Sequence, residues 1–200
     1  MKIYLARHGQ DQDNIKGILN GHRDMPLTDL GIEQANALAK EIKEAGLNFE
    51  AIYCSPLQRA KKTAEIIAST IGVKEPEVLL ELIERNFGVL TGLPAKDIES
   101  LCTPDIIKTD TITYFLNPEG AETFPDLVER GKIIIEKVSN HGHGKSVLLV
   151  CHGDIGKMIY TAYYKLDWKN VLTQFHFGNS EVLLLSKDSH PDDSHVFSFL

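Results

Sequence analysis

The chain has 200 residues, 42% hydrophobic and 24% charged, ordinary globular values, and no apolar run approaches the ~18 residues that span a bilayer. Twenty-eight acidic against 21 basic side chains leave a net charge of −7 with no basic cluster, which argues against nucleic acid and membrane surfaces as partners. The N-terminus reaches Arg7 without room for a signal peptide, and Cys54, Cys102 and Cys151 show neither a disulfide framework nor metal spacing, so a soluble cytoplasmic protein is expected.

In chain order, "KIYLA" (Lys2 to Ala6) predicts a first strand. Thr28 reads as an N-cap, with Ile32, Ala35, Leu38, Ala39 and Ile42 at helical spacing until Gly46. "AIYCS" (Ala51 to Ser55) is a second strand, after which Ser55, Pro56 and Gln58 predict an N-cap, an N1 proline and a capping-box partner opening a helix to about Ile71. Val78 to Leu80 is a short strand. From 85 to 122 periodicity fails among Gly88, Gly92, Pro94, Pro104 and Pro118, which predicts an insertion of short helices and loops. Leu127 to Val138 reads as a helix, "SVLLVCH" (Ser146 to His152) as a buried strand, Ile155 to Tyr164 as a helix and "EVLLLS" (Glu181 to Ser186) as another strand; "HVFSFL" fits an edge strand. "SNHGHGKS" (Ser139 to Ser146) ends like a phosphate-binding loop, but it lacks the first glycine and precedes a strand, so it reads as a turn. The alternation predicts an α/β fold: one domain over 1–200, a three-layer α/β/α sandwich with a mostly parallel central sheet and the insertion over its carboxyl edge.

Two apolar runs, "YLARHG" and "LLVCHG", both finish on His-Gly. In a parallel sheet both end at the carboxyl edge, where ligands bind, so His8 and His152 can face each other there. Gly9 and Gly153 allow a sharp turn and a close ligand approach. The helix after Ser55 carries Arg59, Lys61 and Lys62 in its first two turns, against its own dipole. A bound phosphate, gripped by the helix start and a bidentate Arg59, would relieve that conflict.

The chain at this point resembles the histidine phosphatase superfamily, the phosphoglycerate mutases and related phosphatases. The match runs through "ARHG" with Asn14, "GHRDMPLTDLGIEQA" from Gly21, "CSPLQRAKKTAEII" from Cys54, "LIERNFGVLTG" from Leu82, "GAET" from Gly120, "VCHG" from Val150 and "NSEV" from Asn179. The resemblance implies that His8 attacks phosphorus to form a phosphohistidine, that Arg7, Arg59 and His152 hold the equatorial oxygens with Asn14 assisting, and that Glu84 protonates the leaving oxygen. No metal and no cofactor are implied. Gly21, His22, Arg85 and Gly153 join Asn14 as expected substrate contacts; His22, Arg23 and Arg85 would serve a second anionic group. Ile83, Thr91, Ala121 and Cys151 depart from the family's usual residues.

Between Leu93 and Ala121 the only cations are Lys96 and Lys108, set against Asp97, Glu99, Asp105, Asp110 and Glu119. That balance favours a phosphomonoesterase acting on a small phosphate ester; a mutase or sugar bisphosphatase is the alternative, a non-catalytic phospho-ligand binder the third, and the oligomeric state, monomer or homodimer, is open. Leu101, Ile106, Ile107, Ile112, Tyr114, Phe115 and Leu116 would form an apolar cover.

Overall fold

The computed structural model describes residues 1–140 and 146–197, so the His-Gly-His tract at 141–143 with the two residues after it, and the end of "HVFSFL", lie outside the described residues. Strand β1 (Lys2–Arg7) leads through the short helix α1 (Gln12–Lys16) and helix α2 (Asp29–Glu44) to β2 (Ala51–Cys54), helix α3 (Gln58–Ile71) and β3 (Glu77–Val78). The insertion contains α4 (Ile98–Cys102) and a hairpin of β4 (Ile106–Lys108) and β5 (Thr113–Phe115). Helix α5 (Phe124–Asn140), β6 (Ser146–Cys151), α6 (Gly153–Tyr164), α7 (Trp168–Gln174), β7 (Val182–Leu185) and β8 (His195–Phe197) complete the chain.

The main sheet has the order β3-β2-β6-β1-β7-β8. Its first four strands are parallel, and β7 and β8 add antiparallel at one side. Alternate side chains of the strands feed two cores: Tyr4, Ala6, Ile52 and Leu148 pack with Leu38, Ile42, Ala64 and Ile67 of α2 and α3, while Ile3, Leu5, Val147 and Leu149 pack with Leu127, Ile134, Met158 and Ile159 of α5 and α6. That is the α/β/α sandwich which the alternating pattern predicts. No described helix is long and apolar enough to cross a membrane.

Three local expectations are corrected. Helix α3 starts at Gln58, not at Pro56: Leu57 holds the N-cap position and has no capping hydrogen bond, and the Gln58 N–H donates instead to Asp24 Oδ1 at 2.6 Å. The insertion contains a β-hairpin where only helices and loops are expected. Helix α7, capped by the Asp167 carboxylate, falls in a stretch with no predicted element.

Candidate active site

Strands β1 and β6 pair in parallel with Arg7 opposite Cys151, so the next residues, His8 and His152, leave the sheet side by side at its carboxyl edge. Their ring centroids are 5.0 Å apart. The turn after β1 is tight: a Cβ on Gly9 would sit 2.3 Å from the Gly31 carbonyl oxygen, and one on Gly31 would sit 2.0 Å from that of Gln10. Only glycine pairs let these two backbones meet.

Hydrogen bonds fix the tautomer of each ring. His8 Nδ1 lies 2.6 Å from the Gly9 carbonyl oxygen, which only accepts, so Nδ1 carries the proton and Nε2 presents its lone pair. Arg59 Nε donates to that lone pair at 3.3 Å and to His152 Nδ1 at 3.2 Å. His152 therefore keeps its proton on Nε2 and donates it to Ser55 Oγ at 2.7 Å. Both imidazoles are held well below the usual histidine range, first by burial and then by Arg59. Two neutral rings result.

Arg59 has no exposure, and its Nη atoms donate to the carbonyls of Arg23 and Gly21 at 2.6 and 2.9 Å. The free bidentate grip expected from the sequence is thus replaced by a guanidinium that turns its Nε edge toward the histidines. Asp11 Oδ2, also fully buried, lies 3.2 Å from Arg59 Nε and accepts from Asn20 at 2.8 Å. An isolated guanidinium at that depth would be prohibitively costly, and Asp11 balances it. Lys61 and Lys62 stay exposed on α3.

Arg7 and Gly153, the chain neighbours of the two histidines, line a cavity of about 560 Å³ whose walls also include Asn14, Glu84, Asp154 and Asn179. Arg7 donates through Nη1 to the Phe177 carbonyl at 2.5 Å, while its buried Nε has no protein partner. Asn14 Oδ1 accepts from the Asp11 N–H and from Asn179 Nδ2, leaving the Asn14 amide hydrogens for a ligand. Asn179 Nδ2 also donates to the His8 carbonyl at 2.9 Å and so ties the turn after β1 to the approach of β7. A Cβ on Gly153 would stand 3.8 Å from Arg7 Nε and 3.9 Å from Glu84 Oε2, in the space a substrate oxygen needs.

Glu84 is 6% exposed and sits at the start of α6, where Oε1 accepts from the Arg85 and Ile155 N–H groups at 2.9 and 3.2 Å. Asp154 lies in the first turn of α6 itself. Burial and the nearby Glu84 push its carboxyl up to about 6.

Three expected substrate contacts have other partners. Gly21, at φ 47°, supplies its carbonyl to Arg59. His22 is exposed, outside the cavity walls, and its Nε2 donates to the Glu84 carbonyl at 2.7 Å. Arg85 borders the cavity but is fully buried, donating to the carbonyls of Glu122, Phe115 and Leu116 at 2.7, 2.9 and 2.9 Å and lying over the Phe115 and Phe124 rings. It works as a latch for the insertion. Arg23 turns outward and pairs with Asp13 at 2.7 Å. Sequence reasoning missed Asp11, Ser55 as a histidine partner, Asp154, and Arg130, which donates to the carbonyls of Glu81 and Ile83 beneath Glu84. Only Asp11, an acidic residue just before α1, left a local signal, and that signal reads as a helix cap.

The sheet, the paired neutral imidazoles and the surrounding guanidinium groups define an α/β enzyme of phosphoryl transfer. Residues 3–192 match the model of the histidine phosphatase superfamily, branch 1, and the chain belongs to that superfamily. It is similar to the 2,3-bisphosphoglycerate-dependent phosphoglycerate mutase of Allorhizobium ampelinum, 31% identical over 175 residues that cover 86% of this chain and 83% of the relative. The enzyme of the same description from Brucella anthropi is 30% identical over 192 residues, 94% of this chain and 93% of its own. Among solved structures, a mycobacterial glucosyl-3-phosphoglycerate phosphatase complexed with VO3 superposes with a TM-score of 0.80 at 24% identity, covering 92% of each chain. A phosphoserine phosphatase from Entamoeba histolytica in complex with 3-phosphoglyceric acid gives 0.72 at 26% identity, covering 92% of this chain and 89% of that one.

Proposed function

We propose that the protein is a phosphomonoesterase that works through a phosphohistidine on His8. The observation that carries this reading is the locked tautomer of His8: Nδ1–H is held by Gly9, and the Nε2 lone pair faces the Arg59 guanidinium. In the first step that lone pair displaces the ester oxygen from phosphorus as Glu84 passes a proton to the departing alcohol. Arg59 Nε must release the lone pair for this, moving its hydrogen bond to a phosphoryl oxygen. Arg7, Arg59 and His152 then share the charge of the equatorial oxygens, with Asn14 adding a neutral donor. In the second step Glu84 takes a proton from water, the water attacks phosphorus, the P–N bond breaks and His8 regains its lone pair. Gly153 keeps the approach open.

Hydrolysis is favoured over mutase action by the state of the cations beyond the clamp. A mutase must anchor a second acid, but Arg85 is committed to three carbonyls and Lys157 Nζ to those of Val171, Leu172 and Phe175 and to the Tyr114 hydroxyl. Lys96 and Lys108 are exposed and outside the cavity walls. The similarity to phosphoglycerate mutases supports the second reading, transfer between the hydroxyls of phosphoglycerate. Rapid quench with radiolabelled p-nitrophenyl phosphate should trap an acid-labile adduct that is absent in His8→Ala. Release of labelled inorganic phosphate, with no 2-phosphoglycerate formed from 3-phosphoglycerate and 2,3-bisphosphoglycerate, decides for the phosphatase; the reverse result decides for the mutase.

A further inference from the structure

Beyond the phosphate clamp, the cavity borders on one carboxylate whose capacity for hydrogen bonds is largely open among the described residues. Asp154 borders the cavity, its side chain 15% exposed, and its nearest charged partner is Arg85 Nη1 at 3.6 Å, outside hydrogen-bond range. That nitrogen already donates to Phe115 at 2.9 Å. Among the described residues, Arg85 is the side chain paired with the Asp154 carboxylate, and at that length the contact leaves most of the carboxylate's acceptor capacity open. The cations that share its walls are occupied: Arg85 on backbone oxygens, Lys157 on four acceptors. His176, at the exposed rim, is held toward its neutral form by desolvation and by Arg7. The free charge facing a leaving group is therefore negative. Around it, Ile18, Leu19, Ile98, Ile112 and Phe115 supply an apolar wall.

We propose that Asp154 is a specificity-determining residue that accepts a hydrogen bond from an amino or hydroxyl group near the ester oxygen of the substrate. The enzyme then selects phosphate monoesters of amino or polyhydroxy alcohols and disfavours those whose alcohol carries a second carboxylate or phosphate. Two effects act together: an ammonium or hydroxyl gives a short hydrogen bond to a desolvated carboxylate that otherwise has only its long contact with Arg85, and an anionic group meets Asp154 and Glu84 in a site where screening is weak. The inference rests on the reading of the cavity as the phosphoester site, and it explains how a chain 31% identical to a mutase that handles an acidic substrate could take a different class of ester.

The test measures binding without turnover. His8→Ala protein is titrated calorimetrically with 2-aminoethyl phosphate and with carboxymethyl phosphate, two esters matched in size and opposite in the charge of the second group. The same titrations are made with Asp154→Asn and with Asp154→Ser in that background. The amino ester should bind at least about tenfold more tightly than the acid, the size expected for a hydrogen bond to a charged group, and either substitution should reduce that ratio by about tenfold. Losses common to both esters cancel in the ratio. Equal affinities, a preference for the acid, or a preference that survives both substitutions would overturn the role of Asp154 while leaving the phosphate site standing. Failure of both esters to bind would remove the phosphoester site and this inference together.

Discussion

The chemistry of His8 depends on which of its nitrogens holds the proton, and one backbone oxygen decides it. Nitrogen-15 NMR of labelled histidines should find His8 as the Nδ1–H form and His152 as the Nε2–H form at pH 7; an imidazolium at either position would refute the assignment. Because both pKa values are lowered in the fold, the unfolded rings take up protons first as the pH falls below about 6.5. Folding stability is then lost through that window, seen as a falling melting temperature. Asp154 acts in the opposite direction: its raised carboxyl costs stability above about 6 and returns it on acidification toward the unfolded value near 4. Arg59→Ala removes the donor shared by both rings and leaves Asp11 without its balancing charge. It should lower kcat on p-nitrophenyl phosphate by roughly 10² or more, and an unchanged rate would separate Arg59 from the reaction.

Elements whose signals are local were readable in the sequence, and those built from long-range contacts were not. The two strands ending in His-Gly, the helix capped by Thr28 and the placing of Arg59 near the carboxyl edge follow from apolar runs and punctuation alone. Ser55 shows where that logic stops: its hydroxyl accepts from the Leu57 N–H at 3.3 Å, as a cap would, and the same oxygen also accepts from His152, 97 residues away, which nothing local reveals. The work of capping α3 falls to Asp24, in a loop 34 residues earlier. Asp24→Ala should cost about 1 kcal/mol in denaturant unfolding; a neutral outcome would mean that water serves the Gln58 N–H equally well. The β4–β5 hairpin escaped notice because each strand has three residues and the connection carries no Gly or Asn-Gly turn. The partners of Arg85 were hidden for a different reason. A cation beside a catalytic acid looks like an anion anchor, and nothing local reveals that three carbonyls already hold it. Gly31→Ala, by contrast, has a local address and a distant penalty: a Cβ 2.0 Å from the Gln10 oxygen must push α2 away from the turn that positions His8. Loss of both stability and turnover is expected.

At the scale of the molecule, the sandwich provides a rigid edge and the insertion provides the far wall of the cavity. Guanidinium groups are one of the ties between them: Arg85 holds Phe115, Leu116 and Glu122, and Arg130 pairs with Glu122 at 2.6 Å while supporting the segment before Glu84. Arg85→Met strands three buried carbonyls at about 1–3 kcal/mol each. The prediction is a fall of several kcal/mol in unfolding free energy and faster proteolysis between residues 93 and 116. A shift in KM alone, with stability intact, would instead restore Arg85 to the role of a substrate anchor. Because this latch grips main-chain oxygens, an exposed side chain that only lines the mouth, such as Thr111, can be exchanged, by descent or in a library, to tailor the opening to new alcohols while the reacting centre beneath stays as it is.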